Sequence, residues 1–100
     1  MIANGDFPAV ITRDLVQPLK DLCILFEAEQ AYQEFAFFSN LLFHLRDPSD
    51  ETEVLYAVIE LSKCAFLGFD YSDQARLQID ALLERAITLS HTMKIGRAHV

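Results

Sequence analysis

The sequence lacks the short motifs on which most enzyme chemistry is built. It has no Gly-rich phosphate loop, no Cys-x-x-Cys pair, no Gly-x-Ser-x-Gly elbow and no strip of interleaved basic and aromatic residues. Each of those motifs supplies a specific device: backbone amides for phosphate, paired thiols for redox or zinc, or an activated serine. Without them, the leading expectation is a chain that is not an enzyme and carries no cofactor. Val, Ile and Thr never alternate with polar residues at period two, so no sheet is expected. No apolar run reaches the ~18 residues needed to span a bilayer, so no membrane role is expected. The opening Met1-Ile2-Ala3-Asn4-Gly5-Asp6 has neither the basic start nor the apolar core of a signal peptide, which points to a cytoplasmic protein with reduced cysteines.

Positive charge is also scarce. Eight Lys and Arg face 15 Asp and Glu, a formal net charge of −7. Such a surface repels phosphate backbones, so nucleic acid is excluded as a direct partner. Two cysteines are too few for a disulfide scaffold. Cys23 and Cys64 fall on successive antiparallel helices in a register that sets them about 12 Å apart along the axis. A disulfide needs Cα atoms within ~7 Å. Both are therefore expected to be small buried hydrophobes.

What the chain has in abundance is apolar surface: 52% of its residues are hydrophobic. In the stretch 19–45, Ile24, Ala28, Ala31, Phe35, Phe38, Leu42 and Leu45 recur at spacings of four and three, which predicts one long helix. Leu25, Tyr32, Ala36 and Phe43 form a second apolar line beside it. A helix apolar over most of its circumference must be covered by two neighbours. Arg46-Asp47-Pro48-Ser49-Asp50 ends this helix, and either Asp47 before Pro48 or Asp50 with Glu53 caps the next. Val54, Val58, Leu61 and Ala65 stripe that second helix, and Gly68 closes it in a left-handed turn. Ser72 caps a third helix striped by Ala75, Ile79, Leu82, Ala86, Leu89 and Met93. Before all of these, Pro18 either kinks a helix or starts one after a short N-terminal helical segment. The expected fold is all-α, an antiparallel up-down-up three-helix bundle with helices over about 18–45, 50–67 and 73–93.

Residues 1–93 are expected to form a single helical domain. The final stretch is different in character: Ile95-Gly96-Arg97-Ala98-His99-Val100 resembles the translation of a common sequencing adapter read in frame to its stop codon, with Lys94 completing the junction. Residues 94–100 are accordingly expected to be a non-native tail, with the natural protein continuing beyond Met93. A missing helix or domain would then cover some of the surplus apolar surface.

Candidate site residues are few. His44 and His91 are expected at one end of the bundle, near Asp47, Asp50, Glu51 and Glu53. Two imidazoles with a carboxylate could bind zinc, nickel or iron, but the spacing matches no metal motif, and half-buried histidines beside a loop are the plainer reading. Phe37 sits on the thin polar strip of the long helix between Gln33 and Asn40/Leu41, where an exposed aromatic would mark a contact surface. With Leu41 and Tyr56 it makes the expected interaction surface, and Phe37→Glu is expected to disturb association more than folding. The leading functional expectation is an acidic interaction module that binds a protein partner or itself as a homodimer. The alternatives are a small-ligand-binding regulatory domain with a pocket near Phe35–Phe43, using Asn40 and Tyr32, and the N-terminal fragment of a larger enzyme.

Overall fold

The computed structural model describes residues 7–93, with side chains described as far as His91. The Asn4-Gly5 turn, the side chain of Met93 and the adapter-like tail 94–100 lie outside the described residues. All regular structure among the described residues is helical: α1 (Phe7–Ile11), a π-helical turn (Thr12–Val16), α2 (Gln17–Ala28), α3 (Tyr32–His44), α4 (Glu51–Leu61), a 3-10 turn (Cys64–Phe66) and α5 (Asp73–Met93).

The first departure from expectation is at Pro18. The chain does not restart there; α1, the π turn and α2 form one continuous helical run. Proline has no N–H, and its ring collides with the carbonyl four residues back. The π turn widens the helix just before that position, and the Gln17 amide reaches back five residues to the Thr12 carbonyl. This register carries the helix past the proline without a break. The turn also keeps the core face in line. Ile11, Leu15 and Leu19 are all buried although they are spaced by fours, a spacing that drifts about 40° per step in a regular α-helix.

The second departure is larger. The long helix expected over 18–45 is two helices, α2 and α3, folded back on each other. The chain reverses at Gln30, whose φ of 59° is left-handed. The Ala31 amide donates to the Phe26 carbonyl (2.8 Å), and the Gln30 amide to the Glu27 carbonyl (3.1 Å). These are the two bonds of a Schellman closure, here with Gln where Gly is usual. Because the expected stripe ran through this break, it misplaced residues on α2. Ile24 is 66% exposed and Ala28 is exposed, while Leu19, Leu22, Cys23 and Phe26 form the buried face of α2. On α3, Phe38 and Leu41 are buried, followed by Leu45 just past its end.

The third departure concerns the second helix, which stops at Leu61 rather than near residue 67. The Ser62 hydroxyl donates to the Ile59 carbonyl at 2.6 Å, and the Tyr71 hydroxyl donates to the Cys64 carbonyl at 2.9 Å. Acceptors that would bond amides further along a continuing helix are thereby engaged by side chains. Ala65 is exposed as a result. Gly68, at φ +77°, then makes the left-handed turn expected of it. A Cβ there would meet nothing within 4 Å, so the backbone angle alone calls for glycine.

The third helix follows expectation closely. Ser72 caps it by accepting the Ala75 amide (3.1 Å), and Ala75, Ile79, Leu82, Ala86 and Leu89 are all buried. Its start is tied to the end of α2, since the Ser72 hydroxyl donates to Glu29 Oε2 at 2.7 Å. From there α5 runs back along α2, so that Arg13 and Asp21 line one cleft with Gln78 and Arg85. α3 packs on α2 and α4, and α5 packs on α2, α4 and the π turn. Among the described residues the bundle therefore has four helical members rather than three, each packed on two others. At its centre Phe26 and Phe38 lie 5.2 Å apart, and Tyr71 closes over both. Cys23 and Cys64 are buried, unpaired thiols. Burial pushes both thiol pKa values up, opposed for Cys23 by its contact with the Ser39 hydroxyl.

Candidate interaction surface

The corner where α3 hands over to α4 is built by a chain of local bonds. Asp47 Oδ1 accepts from the Ser49 hydroxyl (2.7 Å) and from the Ser49 amide (3.2 Å), which holds its carboxyl below the usual carboxylate range. The Asp50 amide bonds back to the Asp47 carbonyl at 3.0 Å. Asp50 then caps α4, accepting the Glu53 amide at 3.3 Å. Of the two expected helix starts, this is the Asp50–Glu53 one. Its reciprocal half is missing, however: Glu53 turns its carboxylate to α3, where Oε1 lies 2.8 Å from His44 Nδ1. A carboxylate can only accept, so Nδ1 carries the proton of this bond.

Around that pair the aromatic side chains form a ladder across two helices. The His44 ring lies 4.4 Å from Tyr56 and 5.7 Å from Phe43, centroid to centroid. Arg46 donates to the Phe43 carbonyl (2.9 Å) and places its guanidinium 4.2 Å over the Phe43 ring. Phe43 is 57% exposed, Tyr56 44% and Ile59, one turn further along α4, 47%. This is a row of large apolar groups held in place yet facing solvent. Aromatic residues and arginine are the side chains most enriched where proteins meet. His44 is anchored by Glu53, and the ladder includes no serine, threonine or cysteine to act as a nucleophile beside it. The arrangement is suited to contact.

The expected site residues fare differently. Tyr56 is at the surface, and the structure brings it against His44. Leu41 is only 1% exposed and belongs to the core, not to an interaction surface. Phe37 is half-buried, its ring edge-on to Phe38 at 5.0 Å and to Phe69 at 6.1 Å. Phe37→Glu would therefore insert a charge into packed aromatic rings and act on folding first, contrary to the expectation from the sequence. His91 is exposed on α5. Among the described residues, no group of three or more His, Cys, Asp and Glu is placed to hold a metal ion. Tyr32 and Asn40, expected to serve a pocket, lie on the exposed side of α3. Sequence reasoning missed Phe43, Arg46 and Ile59. The spacing of Arg46 three residues after Phe43 was the one local signal that could have found that pair.

No described helix is long and apolar enough to cross a membrane. Compared with family models, with curated proteins and with solved structures, the chain matches none.

Proposed function

We propose that this chain is a non-enzymatic helical interaction module and that its α3–α4 corner seats a second copy of the same chain. The observation that carries this reading is the exposure of Phe43 and Tyr56 while both are held against His44. Preorganised aromatic groups lose little side-chain freedom on binding, so more of their burial is available as affinity. The surroundings of the corner favour a copy of itself. Arg46 lies over the Phe43 ring, and Asp47, Asp50 and Glu51 follow it in the same corner, all exposed. A two-fold axis through such a patch can set the cation of each copy against the carboxylates of the other, with the rings between them. The high net negative charge opposes association at long range, which makes added salt favourable to the dimer.

The test is sedimentation equilibrium of the full chain over a wide concentration range. A reversible dimer is expected. Phe43→Glu and Tyr56→Glu are each expected to weaken it by roughly thirtyfold, the loss typical of a central interface residue, with far-UV circular dichroism unchanged. A chain that stays monomeric at every concentration would overturn the self-pairing. So would a dimer indifferent to both substitutions.

A further inference from the structure

A cleft of about 470 Å³ opens on the opposite side of α3's partner helix, between the π turn and α2 on one wall and α5 on the other. Its size is within the range of small-ligand sites. Its chemistry is unlike the rest of this acidic molecule. Arg13 and Arg85 line it, both close enough to Asp14 to act on its charge, and Asp21 lines it eight residues further along the helical run from Arg13, with the side-chain amides of Gln17 and Gln78 also in the lining. Asp14 is bonded through both carboxylate oxygens to Arg13 (2.8 and 3.2 Å) and lies within the field of Arg85. One carboxylate against two guanidinium groups leaves an excess positive charge. Arg85 donates no hydrogen bond to any described residue, so its fork is open to a ligand.

The helix wall adds acceptors. The Gln17 amide is spent on the Thr12 carbonyl, which deprives the Arg13 carbonyl of its α-helical partner. The α-helical partner of the Asp14 carbonyl would be Pro18, which has no N–H. Single π turns inside α-helices recur at functional sites for this reason: they free backbone groups at one point along a helix.

We propose that this cleft binds a short zwitterionic peptide, its carboxylate at Arg13 and Arg85 and its ammonium at Asp21, with the Gln17 and Gln78 amides paired to its peptide groups. The length agrees. Arg13 and Asp21 are eight residues apart, about 12 Å along the helix axis, and an extended tripeptide spans roughly 10 Å. A guanidinium fork matches a carboxylate in shape as well as charge.

Triglycine is the probe, titrated into the full-length chain and followed by amide chemical shifts in NMR. Saturable shifts are expected at residues 13–21 and 78–85. Arg85→Gln and Asp21→Asn are each expected to weaken binding by about tenfold. Both side chains are exposed, so neither change should disturb the fold, and the helical circular dichroism should be unaltered. Triglycine amide, lacking the carboxylate, and N-acetyltriglycine, lacking the ammonium, should each bind at least tenfold more weakly. Absence of saturable shifts would overturn the proposal. Acetate or inorganic phosphate binding as tightly as triglycine would overturn it too, because the cleft would then recognise an anion alone. So would Asp21→Asn that leaves triglycine binding intact.

Discussion

Ser72→Ala should cost this fold more than any other single exposed hydroxyl, because Ser72 does two jobs at once. Its oxygen accepts the Ala75 amide to cap α5, and its hydrogen goes to Glu29 at the end of α2. Losing a serine cap costs about 1 kcal/mol, within a range of roughly 0.5–2. The bond to Glu29 is charge-assisted but solvent-facing, which limits it to about 0.5–1 kcal/mol. The sum is about 1.5–2 kcal/mol. In a domain of this size each kcal/mol moves the melting temperature by about 4–8 °C, so a fall of roughly 6–16 °C is expected. Glu29→Ala removes only the tie and should cost about 0.5 kcal/mol. Urea titrations followed by circular dichroism at 222 nm on wild type, both single variants and the double variant give the coupling between the two side chains, expected near 0.5 kcal/mol. Ser72→Asp adds a control: it keeps an oxygen cap but opposes the Glu29 carboxylate, so it should recover stability only when Glu29 is also removed. Strict additivity of Ser72→Ala and Glu29→Ala would refute the tie between the two helix ends. A Ser72→Ala cost below about 0.3 kcal/mol would refute the cap as well.

Two further outcomes follow from the same contacts. Gln30→Gly should stabilise the chain by about 0.5–1 kcal/mol, since Gln30 holds a left-handed φ that costs an L-residue about 1–2 kcal/mol and glycine offsets part of that gain through its own entropy; a urea midpoint that falls instead would argue against the Schellman closure. Tyr71 is held neutral above the usual tyrosine range, chiefly by burial and also by the charges of Cys64 and Glu34. Its folded-state pKa is raised, so this contribution is complete below about pH 10, where unfolded tyrosine titrates, and is lost as pH rises beyond it. Stability measured from pH 8 to 11 should fall above pH 10, and Tyr71→Phe should flatten that fall while costing about 1 kcal/mol at neutral pH; an unchanged alkaline slope would assign it to other groups.

How much of this was legible depended on whether a helix announced its own ends. α5 did: Ser72 is a strong cap residue, and the stripe from Ala75 to Leu89 runs uninterrupted to the core. The start of α4 was legible for the same reason in Asp50 and Glu53. The reversal at Gln30 was not, because a left-handed helix end is signalled by Gly or Asn and glutamine carries no such signal. With the break unseen, the apolar periodicity was carried straight across it; on α3 Phe38 and Leu45 are buried as that stripe had them, but the face was centred too far toward Phe43. Leu41 and Phe43 stand roughly 200° apart on a helix, on opposite flanks of that stripe, so the displaced centre exchanged them: the expected surface residue is core, and the expected core residue is surface. Tyr56 escaped because α4 has an independent start. The pairing of His44 with Glu53 required knowing that Glu53 leaves its own helix cap for a neighbour, which spacing along the chain does not encode.

The π turn has a consequence for which changes in chain length this protein can absorb. It gives the run from Phe7 to Ala28 more residues than an unbroken α-helix of the same number of turns. Removing one residue from 12–16 would let ordinary helix geometry return everywhere except at Pro18. Upstream residues would keep their facing, because the π turn takes up its extra residue within about the same sweep as an α turn, so Ile11, Leu15 and Leu19 would share one face at a three-four spacing; the cost would fall on Pro18, whose ring would meet the carbonyl four residues back. Length in this segment is thus set by the proline ahead rather than by the buried residues behind. A relative of this chain that has lost Pro18 should be expected to have lost a residue between 12 and 16 as well.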